Sequence, residues 1–229
     1  MTDAPAAGTA AASTSRGAVW DLPTRLFHWL LVALIAFSWW SAENDEIDLH
    51  IWAGMAVLSL LLFRLLWGLF GSSTARFASF VRGPGAVLAY LRDAGSWRLA
   101  GHTPLGALSV LALLGVIAAE VGLGLVAVDE DGFSQGPLAH LVSLDVSDLA
   151  TDLHEDLFNV LLALIGLHLA AILYYRLRGR RLVGAMVTGK GALPPGAAPM
   201  RPGRWWVALL CLAAAIVITR WVIAGAPPL

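Results

Sequence analysis

Cysteine and charge are the two things this 229-residue chain has least of. Its one cysteine, Cys211, lies in an apolar run, so there is no disulfide framework and no thiolate metal cluster, and the side chain reads as a small buried group. Charged residues make up 14% of the sequence, whereas a soluble domain carries about a quarter. Hydrophobic residues make up 58%, and the mean hydropathy is +0.73. Those values exclude a soluble globular fold and place the chain in lipid. A formal net charge of −1 offers no basic surface for nucleic acid. The first nineteen residues are rich in Ala, Ser, Thr, Gly and Pro and lack an apolar core long enough for a signal peptide; a disordered tail is expected over 1–19.

What the chain has in quantity is apolar length. Residues 22–40, 50–70, 103–126, 154–175 and 205–224 are each about twenty residues long, enough for a helix to cross the hydrocarbon. Asp21 is placed to cap the first of them, and Pro23 fits a first turn where its missing N–H costs nothing. Trp20, Trp39, Trp40, Trp97, Trp205, Trp206 and Trp221 fall near span ends, as in an interfacial aromatic belt. Residues 77–97 mix Phe80, Val87, Leu88, Tyr90 and Leu91 with Arg82, Arg92 and Asp93, a pattern that predicts a short amphipathic helix lying on the membrane surface. Residues 189–203, rich in Gly, Ala and Pro, read as a flexible linker.

The connecting segments alternate in charge. Residues 41–50 and 127–156 hold twelve acids and no Lys or Arg, whereas 1–25, 71–102 and 176–204 hold thirteen of the fifteen basic residues. The positive-inside rule then predicts a multi-pass protein of the bacterial inner membrane, with a cytoplasmic N-terminus, acidic loops outside and a periplasmic C-terminus.

Four histidines stand on or at the ends of the apolar stretches. His154 and His168 are fourteen residues apart, which on a helix is about 21 Å along the axis and roughly 40° out of register. His28 lies about 10 Å into the first span and His50 starts the second at the opposite boundary. Two layers follow, His50 with His154 on the outer side and His28 with His168 on the inner side. An ionisable group inside a membrane span marks function by default. Two imidazoles facing each other at each of two depths suit a pair of flat iron cofactors held from both sides, a six-coordinate arrangement for electron transfer. Gly54, one turn after His50 on the same face, lacks the Cβ that would obstruct a porphyrin plane. Arg64 puts a cation inside the second span at the inner depth, where a haem propionate is the expected partner.

Plainer readings compete. Histidines at membrane helix ends can cap a turn, which would account for His50 and His154 but not for the deeper His28 and His168. Zinc or copper is the alternative metal, but the histidines of the fourth span are too far apart to share one ion. His102, in Gly-His-Thr-Pro ahead of the third span, reads as a cap or interface contact, and His140 as a solvated loop residue. Glu120 reads as a snorkelled interfacial carboxylate, with a proton-carrying role as the alternative.

Val19-Trp20-Asp21, Arg25-Leu26-Phe27-His28-Trp29, His50-Ile51-Trp52-Ala53-Gly54 and Arg64-Leu65-Leu66-Trp67-Gly68 together resemble the bacterial cytochrome b561 and nickel-hydrogenase b-type cytochrome family. Phe80-Val81-Arg82-Gly83-Pro84, Tyr90-Leu91, Gly101-His102-Thr103-Pro104-Leu105-Gly106 and the His154/His168 pair extend the resemblance over residues 19–178. It implies an all-α membrane bundle, a four-helix haem-binding core over 20–178, followed by a linker (179–203) and a fifth C-terminal transmembrane helix (204–229) that carries no histidine. It also implies two haem b groups with bis-histidine ligation at His28, His50, His154 and His168, and electron exchange with ubiquinone or menaquinone. His102 is usually followed by Asn in that family; here it is followed by Thr103.

The expected partners are membrane lipid, quinone and a basic periplasmic redox protein such as a c-type cytochrome, with homodimerisation open. The resemblance leaves two other activities: a superoxide:quinone oxidoreductase, and the membrane anchor of a nickel-iron hydrogenase. An acidic outer face steers a cationic partner and repels an anionic substrate, which favours electron exchange with a basic protein.

Overall fold

The computed structural model describes residues 15–227 apart from 94–96, 98, 130, 131 and 133. Five helices are long and apolar enough to cross a membrane: α1 (Leu22–Glu43), α2 (Ile47–Phe70), α5 (Pro104–Gly124), α6 (Leu144–Leu177) and α8 (Trp205–Ile223). Three short helices, α3 (Phe77–Phe80), α4 (Pro84–Arg92) and α7 (Leu182–Thr188), and two short strands, β1 (Arg16–Ala18) and β2 (Lys190–Ala192), lie between or beside them. The protein is therefore an all-α membrane bundle, as the five apolar stretches predict. The chain traverses it from an arginine-rich end to an acidic end and back, and α4 takes up the predicted amphipathic segment on the arginine-rich side.

Helix α2 is the hub. It packs on α1, α5 and α8, while α5 packs on α6, and it is the most buried of the five spans. Phe27, Leu31, Val57, Leu61, Phe63, Trp67, Ile117 and Leu161 form the core, joined by Cys211 and Ala215 of α8. Ser59 Oγ donates to Thr219 Oγ1 at 2.9 Å, so α8 is fixed to α2 by a hydrogen bond as well as by packing.

Local chemistry sets the helix starts. Asp21 Oδ1 accepts from the Thr24 N–H at 2.7 Å, and its Oδ2 accepts from Trp67 Nε1 at 3.0 Å. One carboxylate thus caps α1 and ties it to the far end of α2. Thr103 Oγ1 accepts from the Gly106 N–H at 3.1 Å ahead of Pro104, and begins α5 in the same way. Gly68 allows the close approach of α3: a Cβ there would lie 2.0 Å from Phe77 Cε2.

Two expectations differ from the structure. The fourth span begins at Leu144 rather than at His154. The added turns are amphipathic, so hydropathy passes over their three aspartates, but Ser147 and Ala150 are buried and Thr151 Oγ1 bonds Val128 on the preceding loop at 2.9 Å. Residues 15–19 and the glycine-rich segment after α7 are also paired, where a tail and a flexible linker are expected. β1 pairs antiparallel with β2, the Gly189 carbonyl accepts from the Val19 N–H at 2.8 Å, and Met200 N–H donates to Ala18 at 2.8 Å. The glycines there serve close contact: Gly189 has φ +78°, and a Cβ on it would lie 2.8 Å from the Trp20 carbonyl. Residues 1–14 of the expected tail lie outside the described residues.

Replacing Asp21 by Ala removes the cap and leaves Trp67 Nε1 buried without an acceptor, a loss of about 2 kcal/mol or more. Thermal unfolding followed by circular dichroism should show Asp21→Ala well below the wild type, with Asp21→Asn in between.

Candidate functional site

Two of the candidate histidines face each other directly, and the other two are electrostatic neighbours at the opposite end of the bundle. At the acidic end the rings of His50, on the first turn of α2, and His154, on α6, have centroids 5.8 Å apart and planes at 89°. A metal–imidazole bond is about 2 Å, so two ligating nitrogens on one metal stand about 4 Å apart and their ring centroids somewhat farther. The observed separation has that size. Each ring is also anchored from behind. His50 Nδ1 donates to the Ser38 carbonyl at 2.9 Å, with Ser38 Oγ at 3.1 Å. His154 Nδ1 is 2.9 Å from the Glu120 carbonyl and 2.9 Å from its carboxylate. With Nδ1 committed, the tautomer leaves Nε2 as the free lone pair on both rings, which is how metal-binding histidines are oriented by their outer partners. Among the described residues neither Nε2 has a hydrogen-bond partner.

Glu120 corrects the expectation of a snorkelled carboxylate. It is 6% exposed and turned inward onto His154. Ser38 and Gly124 are site residues that sequence reasoning missed. A Cβ on Gly124 would lie 3.3 Å from His154 Cε1, so the glycine admits the imidazole. Gly54 lies one turn after His50, and a Cβ there would meet nothing within 4 Å. Open space beside a glycine on the most buried helix is consistent with a flat group passing there.

At the arginine-rich end His28 of α1 and His168 of α6 are electrostatic neighbours, and His28 Nδ1 is buried with no partner in the polypeptide. Arg64 is 3% exposed, its guanidinium 4.6 Å over the Phe77 ring, and its Nη1 has no hydrogen-bond acceptor. Asp21 and His102 are its electrostatic neighbours. The His102 ring is enclosed by Trp20 at 4.6 Å and Phe80 at 4.4 Å. Burial, and after it the Arg64 guanidinium, push its pKa down to about 3. It is therefore neutral at physiological pH, and its Nδ1 is a further buried atom without a partner. His140 lies exposed on a short 3-10 turn, as expected.

Among the described residues no three His, Cys, Asp or Glu side chains gather as a protein-only metal site would. The imidazoles are instead arranged two by two. A membrane-spanning helical bundle of this kind is a b-type cytochrome. A family model for prokaryotic cytochrome b561 matches residues 19–189, and the chain belongs to that family. Neither the curated proteins nor the solved structures contain a match to it.

Membership makes the chain a membrane cytochrome of electron transfer that carries b-type haem. The residues fit that group. His50 and His154 offer nitrogens as a facing pair, Gly54 leaves room for a ring, and the buried Arg64 Nη1 is free for an anion such as a propionate.

Gly124→Val should force the His154 ring aside while leaving the helices intact. Expected are a lower haem content per chain by pyridine haemochrome assay and an altered visible spectrum, with an unchanged far-UV circular dichroism spectrum.

Proposed function

We propose that this chain is a dihaem b-type cytochrome passing electrons between membrane quinone, ubiquinone or menaquinone, and a basic redox protein such as a c-type cytochrome on the outer side. The observation that carries this reading is the His50–His154 pair, 5.8 Å apart with both Nδ1 atoms tied back to carbonyls. When bound, each haem supplies a one-electron ferric–ferrous couple. His50 and His154 hold one at the acidic end, and His28 and His168 hold the other at the arginine-rich end. Two imidazoles at each site would suit a haem used for electron transfer over one used for oxygen binding. The two layers lie about 21 Å apart along α6, so an electron moving between them crosses most of the membrane.

The second-sphere groups have distinct tasks. Ser38 and Glu120 fix the ring orientation of His50 and His154 and raise their basicity as ligands. Arg64 offers its free Nη1 to a haem propionate in the inner layer, which offsets the charge of both in a medium with little solvation.

The orientation puts the N-terminus and the arginine-rich end in the cytoplasm and the acidic end in the periplasm of a bacterial inner membrane. Quinone is placed at the inner layer. On the outer side Glu43 ends α1, Asp45 and Glu46 lie in the turn after it, Asp48 is in the first turn of α2, and Asp145, Asp148 and Asp152 ride on the start of α6. Such a surface speeds encounter with a cationic partner and disfavours an anionic substrate, which weighs against superoxide oxidation. An anchoring role for a hydrogenase uses the same haem path and differs in the partner.

Alanine at His50 or His154 should remove one haem and spare the other, and alanine at His28 or His168 should do the reverse. Haem stoichiometry and redox titration of the four single variants read this directly, and two haems retained in all four would refute the ligand assignment. Electron exchange with a basic cytochrome c should slow as ionic strength rises. Stopped-flow rates independent of salt would remove the docking role of the acidic face.

A further inference from the structure

A cleft of about 350 Å³ opens at the arginine-rich end between the last turns of α6 and helix α7, lined by Ile172, Arg176, Arg181, Leu182, Val183 and Gly184. It plays no part in holding the histidine pairs. Four arginines are clustered around it, and they are not equivalent. Arg178 lies over the Tyr174 ring at 5.8 Å, and Arg180 over the Tyr175 ring at 5.7 Å. Arg176 and Arg181, the two that line the cleft, have neither an aromatic ring nor a carboxylate as partner among the described residues; the ion pair found there is His154 with Glu120.

Helix α7 gives the cleft its second character. It is held against α1 by Arg25 Nη2, which donates to the Val187 carbonyl, and by Trp29 Nε1, which donates to the Met186 carbonyl at 3.4 Å. With Ala185 turned inward, Leu182, Val183 and Val187 face out at 42%, 44% and 52% exposure. Exposed aliphatic side chains directly beside uncompensated guanidiniums, at the end of a membrane-spanning helix, are unfavourable against water. They are well matched to the boundary of a bilayer, where phosphate and acyl chain meet within a few ångströms.

We propose that this cleft binds an anionic phospholipid. Arg176 and Arg181 take its phosphate by charge-assisted hydrogen bonds, and Leu182 and Val183 lie against the upper acyl chains. Two unpaired positive charges favour a headgroup of net negative charge over a zwitterionic one. The volume is within the range of about 300–1,000 Å³ usual for small-molecule sites. The inference rests on membrane insertion and not on the haem assignment, so it stands or falls apart from the proposed electron path.

The test uses the full-length, haem-loaded protein in mild detergent, with lipid adducts counted by native mass spectrometry. Phosphatidylglycerol should be retained about tenfold more than phosphatidylcholine. The double variant R176Q/R181Q should abolish that preference. R178Q/R180Q, which removes the same charge from the tyrosine-stacked pair, should keep it. V183E, which sets a carboxylate in the cleft without touching an arginine, should also abolish it, and visible and circular dichroism spectra report whether each variant is folded. Equal loss in the two arginine double variants would mean diffuse attraction and would overturn the site. So would equal retention of the two lipids by the wild type, or full displacement of phosphatidylglycerol by millimolar inorganic phosphate, which would mark a free-anion site.

Discussion

Hydrocarbon offers no hydrogen bonds, so each polar side chain inside this bundle has to be matched by another group held within it. Most are. Asp21 serves a helix N-terminus and an indole, Ser59 bonds Thr219, and the two histidines of the acidic end are tied to carbonyls. Against that background the unmatched atoms carry information. His28 Nδ1 and Arg64 Nη1 are buried donors or acceptors with nothing in the polypeptide to meet. Thr24 Oγ1, Ser72 Oγ and His102 Nδ1 are buried without a partner as well; of these atoms, His28 Nδ1 belongs to a candidate haem ligand and Arg64 Nη1 to a buried cation, and the family supplies a group that is not amino acid in b-type haem.

The same constraint makes much of the candidate site legible in the sequence. Histidine is costly in a span, so its position is informative, and a fourteen-residue interval on one helix defines two depths with no tertiary knowledge. The pairing of His50 with His154 follows from which boundary each span begins at. Arg64 and Gly54 stand out as candidates for similar reasons, a charge where none is cheap and a missing Cβ beside a candidate ligand.

What escaped the sequence depends on contacts between distant segments. Glu120 reads as interfacial because it lies near a span end, and only the packing of α5 on α6 turns it onto His154. Ser38 acts mainly through its carbonyl, and a carbonyl leaves no residue-type signal. The extra turns of α6 are masked by aspartates on their exposed side. The glycine-rich segment after α7 has the composition of a linker, yet its glycines allow β2 and Gly203 to lie against β1 and Trp67. Composition cannot separate a glycine that frees the chain from one that lets two chain segments touch.

The length of α6 has its own consequence. At 34 residues it measures about 51 Å, well beyond a hydrocarbon layer of about 30 Å. Asp145, Asp148 and Asp152 are therefore carried on a stiff mast continuous with the rod that bears His154 and His168, not on a floppy loop. A visiting protein that grips those carboxylates need freeze little backbone motion, and its recognition surface is mechanically continuous with the two imidazoles inside.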